Sequence, residues 1–463
     1  MDLFISSIKV EKLFGLYSYD LKIPFESSEA SILYGDNGVG KSTVLRLAFH
    51  LLSADNERGH RNALYNTVFE KLEVSLGTGV LVTALRNKNI LELRILEGTK
   101  LVAGWDFTPR VKSFIGEEAG SERYVVTEEL LRSVLGKSYP LTKNRKNPLI
   151  DQDKYLESLK RLMPSVFILN ADRRLDSDAV ADPSDEVEYR KMMRVSEPRR
   201  INDLVVRSRE IALSQALNAA SKWINKEALL GANQGSMDAH SVYLDVLKHL
   251  IRPVSLKKEL DSVEELIGLD AIGGLVERLD HIRERTYQLA TYELVSSLEV
   301  EDFKRVLNRA SGDTASIAVR VIKPYIKSLE GRLEALNTVY EIVDVFVSVV
   351  NDYLSDKSIE YTLSSGFVIR NRLGDELSPA QLSSGEQQLL LLFCYVLSAR
   401  DSASVFMIDE PEISLNIKWQ RALIQTLLDV TKGASIQFVF ASHSMELISQ
   451  HRRRVVKLEG VKA

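Results

Sequence analysis

The run Gly35-Asp36-Asn37-Gly38-Val39-Gly40-Lys41-Ser42, followed by Thr43, sets two glycines, a lysine and a hydroxyl residue at phosphate-loop spacing. Each part has a physical task. Glycines let backbone N–H groups curl around phosphate oxygens, and a helix opening near Lys41 aims its positive end at them. Lys41 would neutralise the terminal phosphates of a nucleotide, and Ser42 would offer its hydroxyl to Mg²⁺. Far downstream, Ser404-Val405-Phe406-Met407-Ile408-Asp409-Glu410 is an apolar run ending on two adjacent carboxylates. That pattern suits Asp409 as a Mg²⁺ holder and Glu410 as the group that polarises an attacking water. Two weaker signals remain. Leu382-Ser383-Ser384-Gly385-Glu386 precedes a long apolar helix, and Phe438-Val439-Phe440-Ala441-Ser442-His443 reads as a strand ending in histidine. In isolation these are a helix cap at Ser383 or Ser384 and a satisfied core histidine.

Strands and helices must carry these residues to one place. Ala30–Tyr34 reads as a short buried strand, and Lys41–Leu52 as a helix striped by Val44, Leu45, Leu47, Ala48 and Leu51. Residues 71–107 alternate like a meander of antiparallel strands, with Gly77, Gly79 and Gly98 as turns. Residues 124–163 read as helical, and Pro164–Asn170 as a core strand. The polar stretch Asp176–Glu188, which opens Asp176-Ser177-Asp178, reads as a loop. Residues 189–355 are mostly helical, with a stripe through Ile322, Tyr325, Ile326, Leu329, Leu333, Leu336, Tyr340, Val343 and Val350. Residues 359–377 resemble a hairpin, and strand–helix alternation over 380–463 argues for a parallel sheet.

Bulk properties narrow the classes. The chain has 463 residues, with 60 Lys+Arg against 64 Asp+Glu and a net charge of −4, which announces no nucleic-acid or membrane binder. The single cysteine, Cys394, excludes a disulfide framework within the chain and suits a reducing compartment. The first residues lack a basic-then-apolar leader, and the longest apolar run, Leu389–Leu397, is about half a membrane span. The expectation is a cytoplasmic protein with no membrane partner. The seven histidines, at 50, 60, 240, 249, 281, 443 and 451, show no metal-ligand spacing. Basic runs over 190–209 and at Arg452-Arg453-Arg454 could meet nucleic acid or an acidic protein, or simply be solvated.

The order of the four motifs resembles the ABC-type ATPase heads of the SMC, Rad50, RecF and OLD-like group. The resemblance implies an α/β fold: an ABC-type P-loop ATPase head with an antiparallel β subdomain, split by a mainly helical insertion. Its domains would be residues 1–175 and 356–463 as the two halves of the head, with 176–355 as the insertion. It implies ATP and Mg²⁺ as ligands, with Gly35, Asp36, Asn37, Gly38, Val39, Gly40, Lys41, Ser42 and Thr43 around the phosphates. Ser42 and Asp409 would hold the metal, with Lys41, Glu410 and the switch histidine His443 as the catalytic set. Ser383, Ser384, Gly385 and Glu386 would reach a nucleotide bound by a second copy, in a head-to-tail ATP-sandwich dimer and a higher homo-oligomer. Ser414-Leu415-Asn416 would be the loop coupling the two sites.

Departures from that group are informative. No glutamine-loop residue is evident near Asn170–Arg174, and Asn416 stands where relatives often have histidine. Ser42 and Asp409 lie 409 − 42 = 367 positions apart without sustained heptads, so long coiled-coil arms are excluded. Within the group the chain most resembles ATPase subunits of two-gene bacterial phage-defence systems, of the PARIS, Septu and retron-associated types. That implies a separate TOPRIM nuclease partner, restrained until an acidic, DNA-mimicking phage protein triggers its release. The alternative is a RecF/Rad50-like repair ATPase that clamps DNA directly.

Overall fold

The computed structural model describes residues 4–24, 29–109, 150–171, 175–178, 210–233, 261–309, 313–413, 415, 417–459 and 461–462. The chain divides into two compact units: Met1–Val180 with Ser402–Pro411 and Ile436–Ala463, and Ala181–Asp401 with Glu412–Ser435.

The first unit contains two sheets. Strands β1 (Ile5–Leu13), β2 (Tyr17–Lys22), β4 (Lys71–Leu76), β5 (Val80–Asn87), β6 (Ile90–Glu97), β7 (Lys100–Phe107) and β15 (Val461–Lys462) form an antiparallel sheet in the order β15-β2-β1-β4-β5-β6-β7. Along β4 every second residue is buried, the signature of a sheet with one face on the core. The expected meander is therefore present. The other sheet runs β14-β3-β13-β12-β8-β9, from β3 (Ala30–Tyr34), β8 (Ser165–Leu169), β9 (Leu175–Ser177), β12 (Ser404–Asp409), β13 (Ile436–Ser442) and β14 (Val455–Lys457). All its pairings are parallel except β8 with β9. Every residue of β12 and β13 is buried, as continuous apolar runs covered on both faces require.

Helix α1 (Lys41–Leu52) touches strands of both sheets, and its Val44, Leu45, Leu47, Ala48 and Leu51 all lie in the shared core. Gln437 of β13 joins the sheets through polar bonds. Its amide oxygen accepts from the Ile5 backbone N–H at 2.8 Å and its amide nitrogen donates to the Ile5 carbonyl at 3.0 Å. The short helix α2 (His60–Asn66) packs on α1, and α3 (Gln152–Leu162) on β7. An Asp151 N-cap, accepting from the Asp153 and Lys154 amides, starts α3.

One expectation is corrected here. Leu175–Ser177 is a strand, not the start of a loop, and it pairs antiparallel with β8. Leu175 and Ser177 point inward while Asp176 meets Arg58 at 2.9 Å, an alternation too short to register in the sequence. Residues 179–188, the expected helix over 124–149 and the basic run 190–209 lie outside the described residues.

The second unit is mainly helical. Residues 210–233 form one helix, followed by Asp261–Ala290, Glu301–Arg309 and the 41-residue Asp313–Tyr353, which continues through Pro324. Ile326, Leu333, Leu336, Val343 and Val350 of the expected stripe are buried, whereas Tyr325 lies outward and stacks on Phe303. Arg278 and Glu330 pair between the two longest helices, with Nε to Oε1 at 2.7 Å. Strands β10 (Lys357–Thr362) and β11 (Gly366–Asn371) make the expected hairpin. Among the described residues no helix is long and apolar enough to cross a membrane.

Phe406 of β12 stacks on Phe167 of β8 at 4.4 Å and both are buried. Phe406→Ala is expected to destabilise the protein by about 3–5 kcal/mol, read by denaturant unfolding. A loss below about 1 kcal/mol would show that this sheet is not the core its burial indicates.

Candidate functional site

Strand β3, the turn Gly35–Gly40 and α1 form a strand–loop–helix unit of the kind that can cradle phosphates. Gly38 and Gly40 have φ of 84° and 92°, a region that side chains with a Cβ rarely enter. A Cβ on Gly40 would also lie 2.9 Å from Leu13 Cδ2. The Tyr19 hydroxyl donates to the Val39 carbonyl at 2.8 Å and holds the loop to β2. Lys41 is buried, and its Nζ donates to the loop's own carbonyls, Gly35 O at 2.8 Å and Asp36 O at 3.1 Å. A cation so placed needs only to exchange those carbonyls for phosphate oxygens.

The parallel ladder brings the distant carboxylates to the same end of the sheet. Asp409 pairs with Ala441 across β12 and β13, and Ser442 of β13 pairs with Tyr34 of β3. Asp409 is 1% exposed, its Oδ2 lies 3.5 Å from the Arg46 guanidinium, and its Oδ1 has no hydrogen-bond partner among the described residues. A buried carboxylate oxygen left unpartnered is costly unless a cation meets it. Asp409 therefore fits a hard, oxygen-seeking divalent ion, and Ser42, the expected second holder, is the second residue of α1.

Glu410 follows with φ of 50°, the left-handed region, fixed by its N–H donating to the Ala441 carbonyl at 2.8 Å. The turn delivers its Oε2 to within 2.5 Å of His443 Nδ1, at the end of β13. Lys41, Asp409, Glu410 and His443 all belong to the first unit.

Ser383, Ser384, Gly385 and Glu386 lie in the second unit, at the start of the helix Ser384–Ser398. Ser383 is its N-cap in a capping box: its hydroxyl accepts from the Glu386 amide at 3.3 Å, and its own N–H donates to Glu386 Oε2 at 2.7 Å. Lys357 Nζ donates to both Glu386 oxygens, at 3.1 and 3.2 Å. Burial is the largest single influence on Glu386 and would raise its pKa. The Ser383 amide and hydroxyl together with Lys357 outweigh it and hold the carboxyl below its ordinary value. Ser383 and Ser384 remain exposed. Of the coupling loop only Leu415 is described, since Ser414 and Asn416 lie outside the described residues.

The structure brings Thr43, expected at the phosphates, together with residues to which the sequence assigned no site role. Thr43, Arg46, Leu47 and His50, on one face of α1, line a cavity of about 330 Å³ with Phe14, Ala63, Asn66, Thr67 and Val68. Their i, i+3, i+4, i+7 spacing was the available signal. His50 meets buried His60, with 2.9 Å between their Nδ1 atoms, and His60 Nε2 lies 3.3 Å from Asp178 Oδ1. Nothing in the sequence could pair these three, because the contact depends on β9. Phe14 is 45% exposed at the cavity.

A family profile described as "AAA domain, putative AbiEii toxin, Type IV TA system" matches residues 172–449, which include Ser383–Glu386, Asp409, Glu410 and His443. Among solved structures, the Smc head domain with an extended coiled coil bound to the C-terminal domain of ScpA, from Pyrococcus furiosus, is 11% identical. It aligns over 99% of this chain and 96% of its own, at a TM-score of 0.37. The Smc head with a coiled coil and joint from Pyrococcus yayanosii is 13% identical over 96% and 93%, at 0.35. At scores this low the sheet topology above remains the basis for the fold.

Two outcomes follow. Gly40→Ala forces a strained φ and a clash with Leu13, and is expected to weaken ATP binding at least about tenfold, by calorimetric titration. The Glu386 carboxyl is held low in the folded state, so its stabilisation is complete above the ordinary carboxylate range near 4.5. It is lost as pH falls through the lower folded-state value. The stability gap between wild type and Glu386→Gln should therefore shrink on acidification; a gap that stays constant or widens would contradict the assignment.

Proposed function

The chain belongs to this AAA-domain family, and from that premise we propose that it binds ATP and hydrolyses it with Mg²⁺. The observation that carries the reading is buried Asp409, one oxygen of which has no hydrogen-bond partner among the described residues, facing Arg46 of α1 and followed by a Glu410 against His443. Lys41 leaves its loop carbonyls to neutralise the terminal phosphates. Ser42 and Asp409 would hold the metal, which when bound would screen charge on the phosphoryl oxygens. Glu410 takes the proton of the attacking water, and His443 orients that carboxylate and senses the γ-phosphate. The cavity sharing Thr43 with the phosphate loop takes the nucleoside, with Phe14 as its exposed aromatic wall.

The finer reading is that two copies close head to tail on ATP. Ser383, Ser384 and Gly385 of one copy reach the nucleotide of the other, while Glu386 pins the turn that presents them. On this reading the ATPase is a sensor and scaffold in bacterial antiviral defence, of the PARIS type. It restrains a TOPRIM nuclease partner until an acidic phage protein arrives. The family's description as a type IV TA toxin is in keeping with a defence role, and exposed Arg452 and Arg453 offer cations for an acidic trigger.

Lys41→Ala is expected to abolish ATP binding. Glu410→Gln should keep ATP binding but slow phosphate release by about 100-fold or more, with a long-lived dimer in size-exclusion chromatography. Normal turnover by Glu410→Gln would overturn the mechanism.

A further inference from the structure

The cavity wall contains a chain of three groups that the hydrolysis mechanism does not use. Asp178 follows β9, and its Oδ2 accepts from the backbone N–H groups of Ala54 and, at 3.1 Å, Asp55, just past the end of α1. That commits one oxygen to two donors. The other oxygen, Oδ1, lies 3.3 Å from His60 Nε2. Both of these atoms are buried, and among the described residues neither makes a hydrogen bond of regular geometry, their contact with each other included. A hydrogen on His60 Nε2 is the arrangement that satisfies both. With that hydrogen as the only one on the ring, His60 Nδ1 is bare.

That Nδ1 lies 2.9 Å from His50 Nδ1, so the single hydrogen between them must belong to His50. The His50 ring is thus left with a bare Nε2. Burial, and then His60, Arg61 and Arg46, push the His50 pKa down to about 3, which keeps the ring neutral. Neighbouring side chains pack around the cluster away from the cavity. Arg61 donates to the His50 and Ser53 carbonyls at 2.6 and 2.5 Å, Arg58 pairs with Asp176, and Tyr155 of α3 packs against Arg61.

We propose that Asp178, acting through His60, sets His50 as a hydrogen-bond acceptor in the wall of the nucleotide cavity, where it selects a nucleoside that presents a donor. The donor is an exocyclic amine of the base or a ribose hydroxyl. His50 is the specificity residue, and His60 and Asp178 are positioning residues. The inference rests on the nucleotide reading of the cavity.

Asp178→Asn gives an isosteric test with an opposite sign. Its single carbonyl oxygen must serve the Ala54 and Asp55 amides, so its NH₂ faces His60 Nε2. The hydrogen then moves to His60 Nδ1, and His50 is left with a hydrogen on Nε2, as a donor. Two measurements on the full chain read this out. Nitrogen-15 NMR of histidine-labelled protein, with His50 assigned through His50→Phe, should show His50 as the neutral Nδ1–H tautomer in wild type and Nε2–H in Asp178→Asn. An Nε2–H tautomer in wild type, or no change in the variant, would overturn the relay.

The second measurement compares binding of ATP, inosine triphosphate, 2′-deoxyATP and 3′-deoxyATP. Wild type should favour ATP over at least one analogue by about tenfold, and His50→Phe should erase that preference. A preference against the inosine compound identifies the base amine, and Asp178→Asn should then reverse it. A preference against a deoxy compound identifies that ribose hydroxyl. Equal binding of all four, or a preference unchanged in His50→Phe, would overturn the selection. If wild type binds none of them while showing the expected tautomers, the nucleotide reading itself fails and the selection falls with it.

Discussion

The site depends on the parallel register of β3, β13 and β12. Parallel strands present equivalent ends on one side of a sheet, and groups leaving those ends converge there. The pairings Ser442 with Tyr34 and Ala441 with Asp409 bring the end of β3 together with those of β12 and β13, hundreds of residues downstream, at one end of the sheet. The phosphate loop leaves β3, the carboxylates leave β12 and the histidine leaves β13. A shift of one residue in β12 would turn Asp409 to the opposite face and break the set.

Within that frame charge balance organises the chemistry. Lys41 donates to its own loop, Asp409 Oδ2 faces Arg46, and Glu410 Oε2 lies against His443. Asp409 Oδ1 has no hydrogen-bond partner among the described residues. A single additional cation would complete the arrangement, which is why the residues fit Mg²⁺ beside a nucleotide. The strained backbone at Glu410 has the same origin: a φ of 50° turns its carboxylate toward His443 rather than along the strand.

Much of this was legible in the sequence because the motifs coincide with strong local patterns. The phosphate loop lies between an apolar strand and a striped helix, and β12 is an unbroken apolar run. The helix Lys41–Leu52, the meander over 71–107 and the hairpin after 357 were readable for the same reason. What was not legible depends on contacts between distant segments. β9 is three residues long and needs β8 beside it, so Asp176–Asp178 read as a loop. With β9 hidden, His50, His60 and Asp178 were three unrelated polar residues. Ser383 shows the opposite case: the local helix-cap reading is what the structure contains, and any contact with a nucleotide would add to it.

The central claim is that the β12 carboxylate and the phosphate loop share one metal–nucleotide site. The most direct measurement is a structure determined with Mg²⁺ and a non-hydrolysable ATP analogue. The account predicts Lys41 Nζ on phosphate oxygens instead of the Gly35 and Asp36 carbonyls. It also predicts the ion held at Ser42 and Asp409 Oδ1. Nucleotide bound elsewhere, or Lys41 still on its own loop with Asp409 far from the ion, would contradict it.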